Sequence, residues 1–248
     1  MGNNSVTINI PGDLRVKIVS CIREALEDDV SAFLQVAQLA TNNGLRSLKG
    51  DFINTRLQNE IMNSNIHIIP FARYGWESRL VVDRQNKVVY SVISKSRMED
   101  LMKEGERNSV PHYTMLFAYS FNGDLEAPQK QMSLFENYPY SDEVMQAGVW
   151  KLIGGQIDFS AGYRYCVVTY EVAEGLLISC DSLVLDKDLE VVEKISMTEF
   201  IKPDYTKLTQ EENKAVGIGK DTQRVKLKKR PEDATAHLVS LREDKQKA

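Results

Sequence analysis

Cysteine is scarce in this chain. Cys21, Cys166 and Cys180 are odd in number and far apart among 248 residues, which argues against a disulfide framework and points to a reducing, cytoplasmic setting. No C-x-x-C pair occurs, and His67, His112 and His237 are widely separated. The closely spaced soft ligands of a structural zinc site are therefore missing, and neither a metal nor a cofactor is expected. Glycine (14) and proline (7) are too few for a collagen-like or low-complexity chain. No apolar run approaches the roughly 18 residues that span a bilayer; the longest candidates, such as 163–170, have the length of a strand. Residues 1–13 lack the basic start and apolar stretch of a signal peptide. Val6 stands where the myristoylation pattern after Met1-Gly2 requires Ser or Thr. No membrane contact is expected.

An excess of positive charge is also lacking. There are 35 acidic and 31 basic side chains, a net charge of -4, which disfavours a generally basic nucleic-acid binder. The charge is unevenly spread. Residues 202–248 carry 12 Lys/Arg and 8 Asp/Glu, whereas residues 1–201 carry 19 and 27. With few large apolar residues, 202–248 reads as a mostly flexible basic tail. Within it, Lys226, Lys228, Lys229 and Arg230 could touch a phosphate backbone, although a solvated charge run is the simpler reading.

What is present is enough to build a core: 42% of residues are hydrophobic and 27% charged. Asp13 reads as the cap of a first helix, in which Leu14, Ile18, Ile22 and Leu26 recur every four residues. Glu27-Asp28-Asp29 should end or bend it. A second helix is expected over 32–41, stopped by Gly44 in a left-handed turn, and a third over 51–62. The pattern then changes to short β-branched segments at 66–71, 78–83 and 87–93, the last two joined by a turn at 83–87. A charged helix follows at 96–106. Residues 111–121 alternate like a strand, but Pro111 suits a first helical turn and helix is favoured. Ser141 caps another helix that ends at Gly154-Gly155. Strands at 163–170, 176–185 and 190–196 form an antiparallel meander, and 197–201 starts a short helix. The fold expected is α+β, with N-terminal helices packed on a mostly antiparallel sheet. Residues 1–201 form one domain, comprising a helical part (1–62) and a sheet-rich part (63–201) with an exposed loop at 122–140.

Catalytic signatures are weak. In Gly217-Ile-Gly219-Lys220-Asp221-Thr222, Lys214 stands where a phosphate loop needs glycine and Asp221 where it needs Ser or Thr. His112-Tyr113-Thr114 is a single H-x-T without the second copy a two-histidine phosphodiesterase needs. There is no G-x-S-x-G elbow. The strongest enzymatic alternative is a divalent-metal-dependent nuclease, in which a strand ending in Asp is followed by a second strand and Glu-x-Lys. The carboxylates would hold magnesium and the lysine would steady the attacking water. Asp83 and Lys95 fit, with Glu77 nearby, but Ile93 stands where the acid before the lysine belongs. The plain reading is a hairpin whose Asp83 starts a turn and whose Lys95 caps a strand end.

The sharpest signal is Gln131-Met132-Ser133-Leu134-Phe135, which resembles the pentapeptide by which bacterial polymerases, repair proteins and phage proteins dock on the DNA sliding clamp. Two adjacent apolar side chains fill a preformed pocket while the glutamine amide bonds at its rim. Such a motif needs an extended segment, consistent with Pro128 and Pro139 on either side. Met132 departs from the usual Leu but is similar in size and flexible. Leu134 and Phe135 could instead plug the loop onto its own core. The series Asp51-Phe-Ile-Asn-Thr55, Trp76-Glu-Ser-Arg-Leu80, Pro111-His-Tyr113 and Gln131 to Phe135 resembles an uncharacterised domain family of Gram-positive bacteria and their phages. That resemblance covers about residues 45–200 and implies no activity, but it implies a phage or mobile-element origin. The expectation is a non-enzymatic binding protein whose partner is the sliding clamp.

Overall fold

Two runs of three strands make the scaffold. The structure, a computed structural model, describes residues 8–37, 39–41, 43–104, 110–128 and 140–202. The first run comprises β1 (Ile66–Arg73), β2 (Trp76–Asp83) and β3 (Val88–Ser94), and the second β4 (Arg164–Ala173), β5 (Leu176–Leu185) and β6 (Val191–Ser196). Each run is an antiparallel meander, and β3 pairs in parallel with β4, so six strands lie side by side in chain order. A parallel join needs a crossover. It is supplied by α4 (Lys95–Glu104), α5 (Tyr113–Asn122) and α6 (Asp142–Ile153). Ahead of the sheet come α1 (Gly12–Glu24), α2 (Val30–Ala37) and α3 (Leu45–Glu60).

Both faces of the sheet are buried, which explains the near-continuous apolar runs 80–82, 88–90 and 165–168. On one face Leu80, Val82, Val89, Tyr165 and Val167 pack with α4, α5 and α6; on the other Val81, Val88, Tyr90, Cys166 and Val168 pack with α1 and α3. The α+β expectation therefore holds, with a helical layer on each face. All three cysteines are free and buried. No helix among the described residues is long and apolar enough to cross a membrane.

Helix α5 resolves the ambiguity at 111–121. Its Phe117 ring meets Phe71 at 5.6 Å and Tyr165 at 5.5 Å, and Phe117 is fully buried. A helix wedged between a sheet and α6 has almost no polar face, so the period of its apolar residues was masked.

The N-terminal helices correct three expectations. Pro11, not Asp13, precedes the first helix, and Asp13 lies in its first turn. Glu27-Asp28-Asp29 does not break the chain: Ala25–Asp29 is one π-helical turn joining α1 to α2. Buried Glu27 explains the acid there, because its carboxylate accepts from the Leu177 backbone N–H of β5 at 3.0 Å. Arg56 of α3 then clasps the turn, with Asp29 at 2.7 Å, Glu24 at 2.7 Å and Glu60 at 2.8 Å. Gly44 is not a left-handed stop. It has φ -79° and precedes α3, which starts at Leu45, well before 51.

His112 caps α5: its Nδ1 accepts from the Thr114 backbone N–H at 3.2 Å. Burial, then the charges of Arg97 and Arg73, lower its pKa to about 3. The neutral ring is the folded form, so its stabilisation is complete above the ordinary value of 6.5 and is lost as pH falls from there toward 3. His112→Asn keeps a capping acceptor without the titration. Urea unfolding between pH 7 and 4 should show the parent losing on the order of a few kcal/mol and the variant distinctly less. Equal losses would mean that His112 does not carry the dependence.

Candidate functional site

The three residues of the nuclease alternative do not converge. Asp83 closes β2 at the hairpin end, and Lys95 follows the opposite end of β3, on the order of 20 Å away along seven strand residues. Asp83 is almost fully buried and committed to its turn. One carboxylate oxygen accepts from Gln85 N–H at 3.0 Å and Asn86 N–H at 2.9 Å, and the other from Asn86 Nδ2 at 2.7 Å. Lys95 donates to Glu171 of β4 at 2.6 Å. This bond and the attraction behind it raise the lysine pKa and lower that of the glutamate, so both stay charged. Glu77 lies at the Lys95 end, its side chain 72% exposed. No group of three or more His, Cys, Asp or Glu able to hold a metal occurs among the described residues.

The connection between α5 and α6 is built differently. It runs from 123 to 141, whereas packed helix pairs are commonly joined by about 2–8 residues. Its first stem is fastened to the sheet. Asn122, fully buried, donates to the carbonyls of Tyr165 at 2.9 Å and Leu185 at 2.7 Å and accepts from Tyr165 N–H at 2.9 Å. Arg164 grips both oxygens of Asp124, which lowers that carboxyl's pKa. Leu125 is buried, and the Ala127 N–H reaches the buried Asp186 carboxylate at 3.3 Å. The expectation of an exposed loop over all of 122–140 is therefore wrong at its start, where Asn122 and Leu125 belong to the interior. At the other end Ser141 accepts from Val144 N–H, capping α6. The Tyr119 hydroxyl of α5 donates to Asp142 at 2.6 Å, which pushes the phenol up to about 12. The two stems are thus brought together on one helix pair. Gln131, Met132, Ser133, Leu134 and Phe135, and likewise Lys226, Lys228, Lys229 and Arg230, lie outside the described residues.

A groove of about 870 Å³ opens beside these stems, lined by Tyr119, Gly123, Asp142, Trp150, Phe159 and Lys187 among others. Trp150 is 64% exposed, yet its ring is seated: a Cβ on Gly155 would come within 2.9 Å of it, and Gly155 has φ +74°. Sequence reasoning did not select Trp150. Its signal was phase: Met145, Val149 and Leu152 mark the buried side of α6, and Trp150 falls off that stripe.

A family model described as a family of unknown function matches residues 7–241, reaching well beyond the sheet. No curated protein and no solved structure matches the chain.

Removal of the Asp83 carboxylate should cost about 1–2 kcal/mol, as loss of a capping acceptor does. Lys95→Ala should leave the melting temperature nearly unchanged, because its ion pair is at the surface. Thermal unfolding of the two variants checks this. A larger loss at Lys95 than at Asp83 would contradict the roles given.

Proposed function

The chain belongs to the family of unknown function DUF5986, whose membership supplies no activity, and from its own residues we propose that it is a non-enzymatic binding protein of phage or mobile-element type that docks on the DNA sliding clamp through Gln131 to Phe135. The observation that carries the proposal is the placing of this pentapeptide in a connection far longer than the two helices need, with both stems held to the body of the protein. Stems fastened by Asn122, Asp124 and Asp142 present the intervening residues from a rigid base, and long connections of this kind are commonly functional. The roles within the motif follow from chemistry. Leu134 and Phe135 supply the two anchors, Met132 adapts to the pocket beside them, and the Gln131 amide fixes the register. Ser133 keeps the middle of the peptide small and polar.

The nuclease alternative at Glu77, Asp83 and Lys95, with magnesium, gains no support from the geometry. It needs its two carboxylates and its lysine around one ion, and Asp83 is spent on a turn at the other end of the hairpin.

The double change Leu134→Ala and Phe135→Ala distinguishes docking from packing onto the chain's own core. Docking predicts a melting temperature within about 2 °C of the parent and a loss of clamp affinity of about 1,000-fold, since truncated anchors typically cost about 2 kcal/mol or more each. Failure of the parent to bind purified clamp would overturn the proposal. So would several kcal/mol of lost stability with binding unchanged, the signature of core truncation.

A further inference from the structure

The end of the sheet opposite the Asp83 turn carries a row of side chains that the docking reading does not use. Arg73 of β1 pairs with Trp76 of β2. The β2–β3 ladder runs from Val81↔Tyr90 to Asp83↔Val88 and stops there; beyond it the two strands are linked by α3, whose Asp51 and Asn54 line one small cavity with Glu77 and Arg79 and whose Arg46 and Lys49 line another with Lys95. The β3–β4 ladder ends at Ser94↔Tyr170, which sets Lys95 level with Glu171, as their ion pair requires. Trp76 of β2, Glu171 of β4 and Lys95, the first residue of α4, therefore lie at the same end of the sheet.

One end of the row is aromatic. Trp76 stacks on Tyr113 at 5.4 Å and 18° and meets the edge of Phe71 at 6.0 Å. Its indole is held in place while remaining 39% exposed. Next to it Tyr74, 79% exposed, forms the β1–β2 turn with Gly75. Tyr74 has φ +51° and Gly75 φ +81°, the mirror-image turn in which Asn or Gly normally takes the first place. A bulky tyrosine there is strained backbone in exchange for an exposed ring, and such strain collects at functional positions. The Arg73 guanidinium lies 5.4 Å from the Tyr74 ring centre.

The other end is cationic. Arg46 and Lys49, from the first turns of α3, line a cavity of about 400 Å³ with Lys95 and Tyr170. Arg46 and Lys49 form no ion pair or hydrogen bond among the described residues. Glu171 also lines this cavity but is neutralised by Lys95 and accepts from Ser179 Oγ at 3.2 Å. Glu99 lines it too, and Glu77 stands near Trp76, so the charge is mixed. Mixed charge argues against a long phosphate-tracking groove and suits a short contact.

We propose that this end of the sheet binds a short stretch of single-stranded nucleic acid, with bases stacked on Trp76 and Tyr74 and phosphates held by Arg46 and Lys49. Bases in a duplex could not reach the rings, whereas unpaired bases stack on aromatic platforms without sequence preference. The site shares no residue with the 131–135 motif, so each reading stands or falls alone.

The chain has two tryptophans, so Trp150→Phe leaves Trp76 as the single reporter. In that background, 5′-phosphorylated oligothymidylate should quench the emission, with an affinity that falls as salt rises. Tyr74→Asn suits the turn better than tyrosine and should hold or raise the melting temperature while weakening binding about tenfold. Arg46→Ala with Lys49→Ala should weaken binding by a similar factor and flatten the salt dependence. No quenching, equal affinity for a duplex, equal affinity for thymidine monophosphate, or parent-like binding by both variants would each overturn the proposal.

Discussion

The parallel ladder between β3 and β4 is the constraint on which the rest of the structure depends. Each three-stranded meander could close on itself through short turns, but neither could bury both of its faces. Joining them side by side in parallel obliges the chain to leave β3, cross one face through α4, α5 and α6, and return at β4. That crossing covers one face and leaves the other to the N-terminal helices. The central strands become apolar on both sides, with Val81, Val82, Val88, Val89, Cys166 and Val167 all buried. Asn122 secures the return by bonding α5 to the backbone of both β4 and β5. The same crossing creates the connection between α5 and α6 in which the pentapeptide lies.

The strands were legible in the sequence because β-branched residues and turn residues mark them directly. Leu176–Leu185 was read with its observed bounds, four others within two residues, and β4 was read three residues short at its C-terminal end. The helices were legible where a polar face contrasts with a buried one, as with Leu14, Ile18 and Ile22 in α1. They were misread where a tertiary partner overrides the local signal. Glu27 looks like a helix end until Leu177 of a distant strand is seen to need an acceptor. Gly44 looks like a left-handed stop, but nothing local distinguishes that from a residue preceding the next helix. The burial of both sheet faces was visible only as unbroken apolar runs, which a buried helix would also produce.

The site was less legible, for a reason of distance. Glu77, Asp83 and Lys95 are close in sequence, but a hairpin sends its turn and its free ends to opposite edges of the sheet. Sequence proximity across a hairpin is therefore a poor guide to a shared site. The reverse holds for Arg46, Lys95 and Tyr170, which come from three elements far apart in sequence and line one cavity. The proposed docking pentapeptide is readable because a linear motif carries its chemistry in consecutive residues and asks of the fold only that its ends be held.

The most direct measurement of the central claim is calorimetric titration of purified sliding clamp with the intact chain, alone and in the presence of a peptide spanning residues 128–140. The account predicts saturable heat, one chain per clamp pocket, and competition by the peptide, because the peptide carries every contacting side chain. Heat that the peptide does not displace would place the contact elsewhere on the surface. Absence of heat with a correctly folded chain would contradict the account.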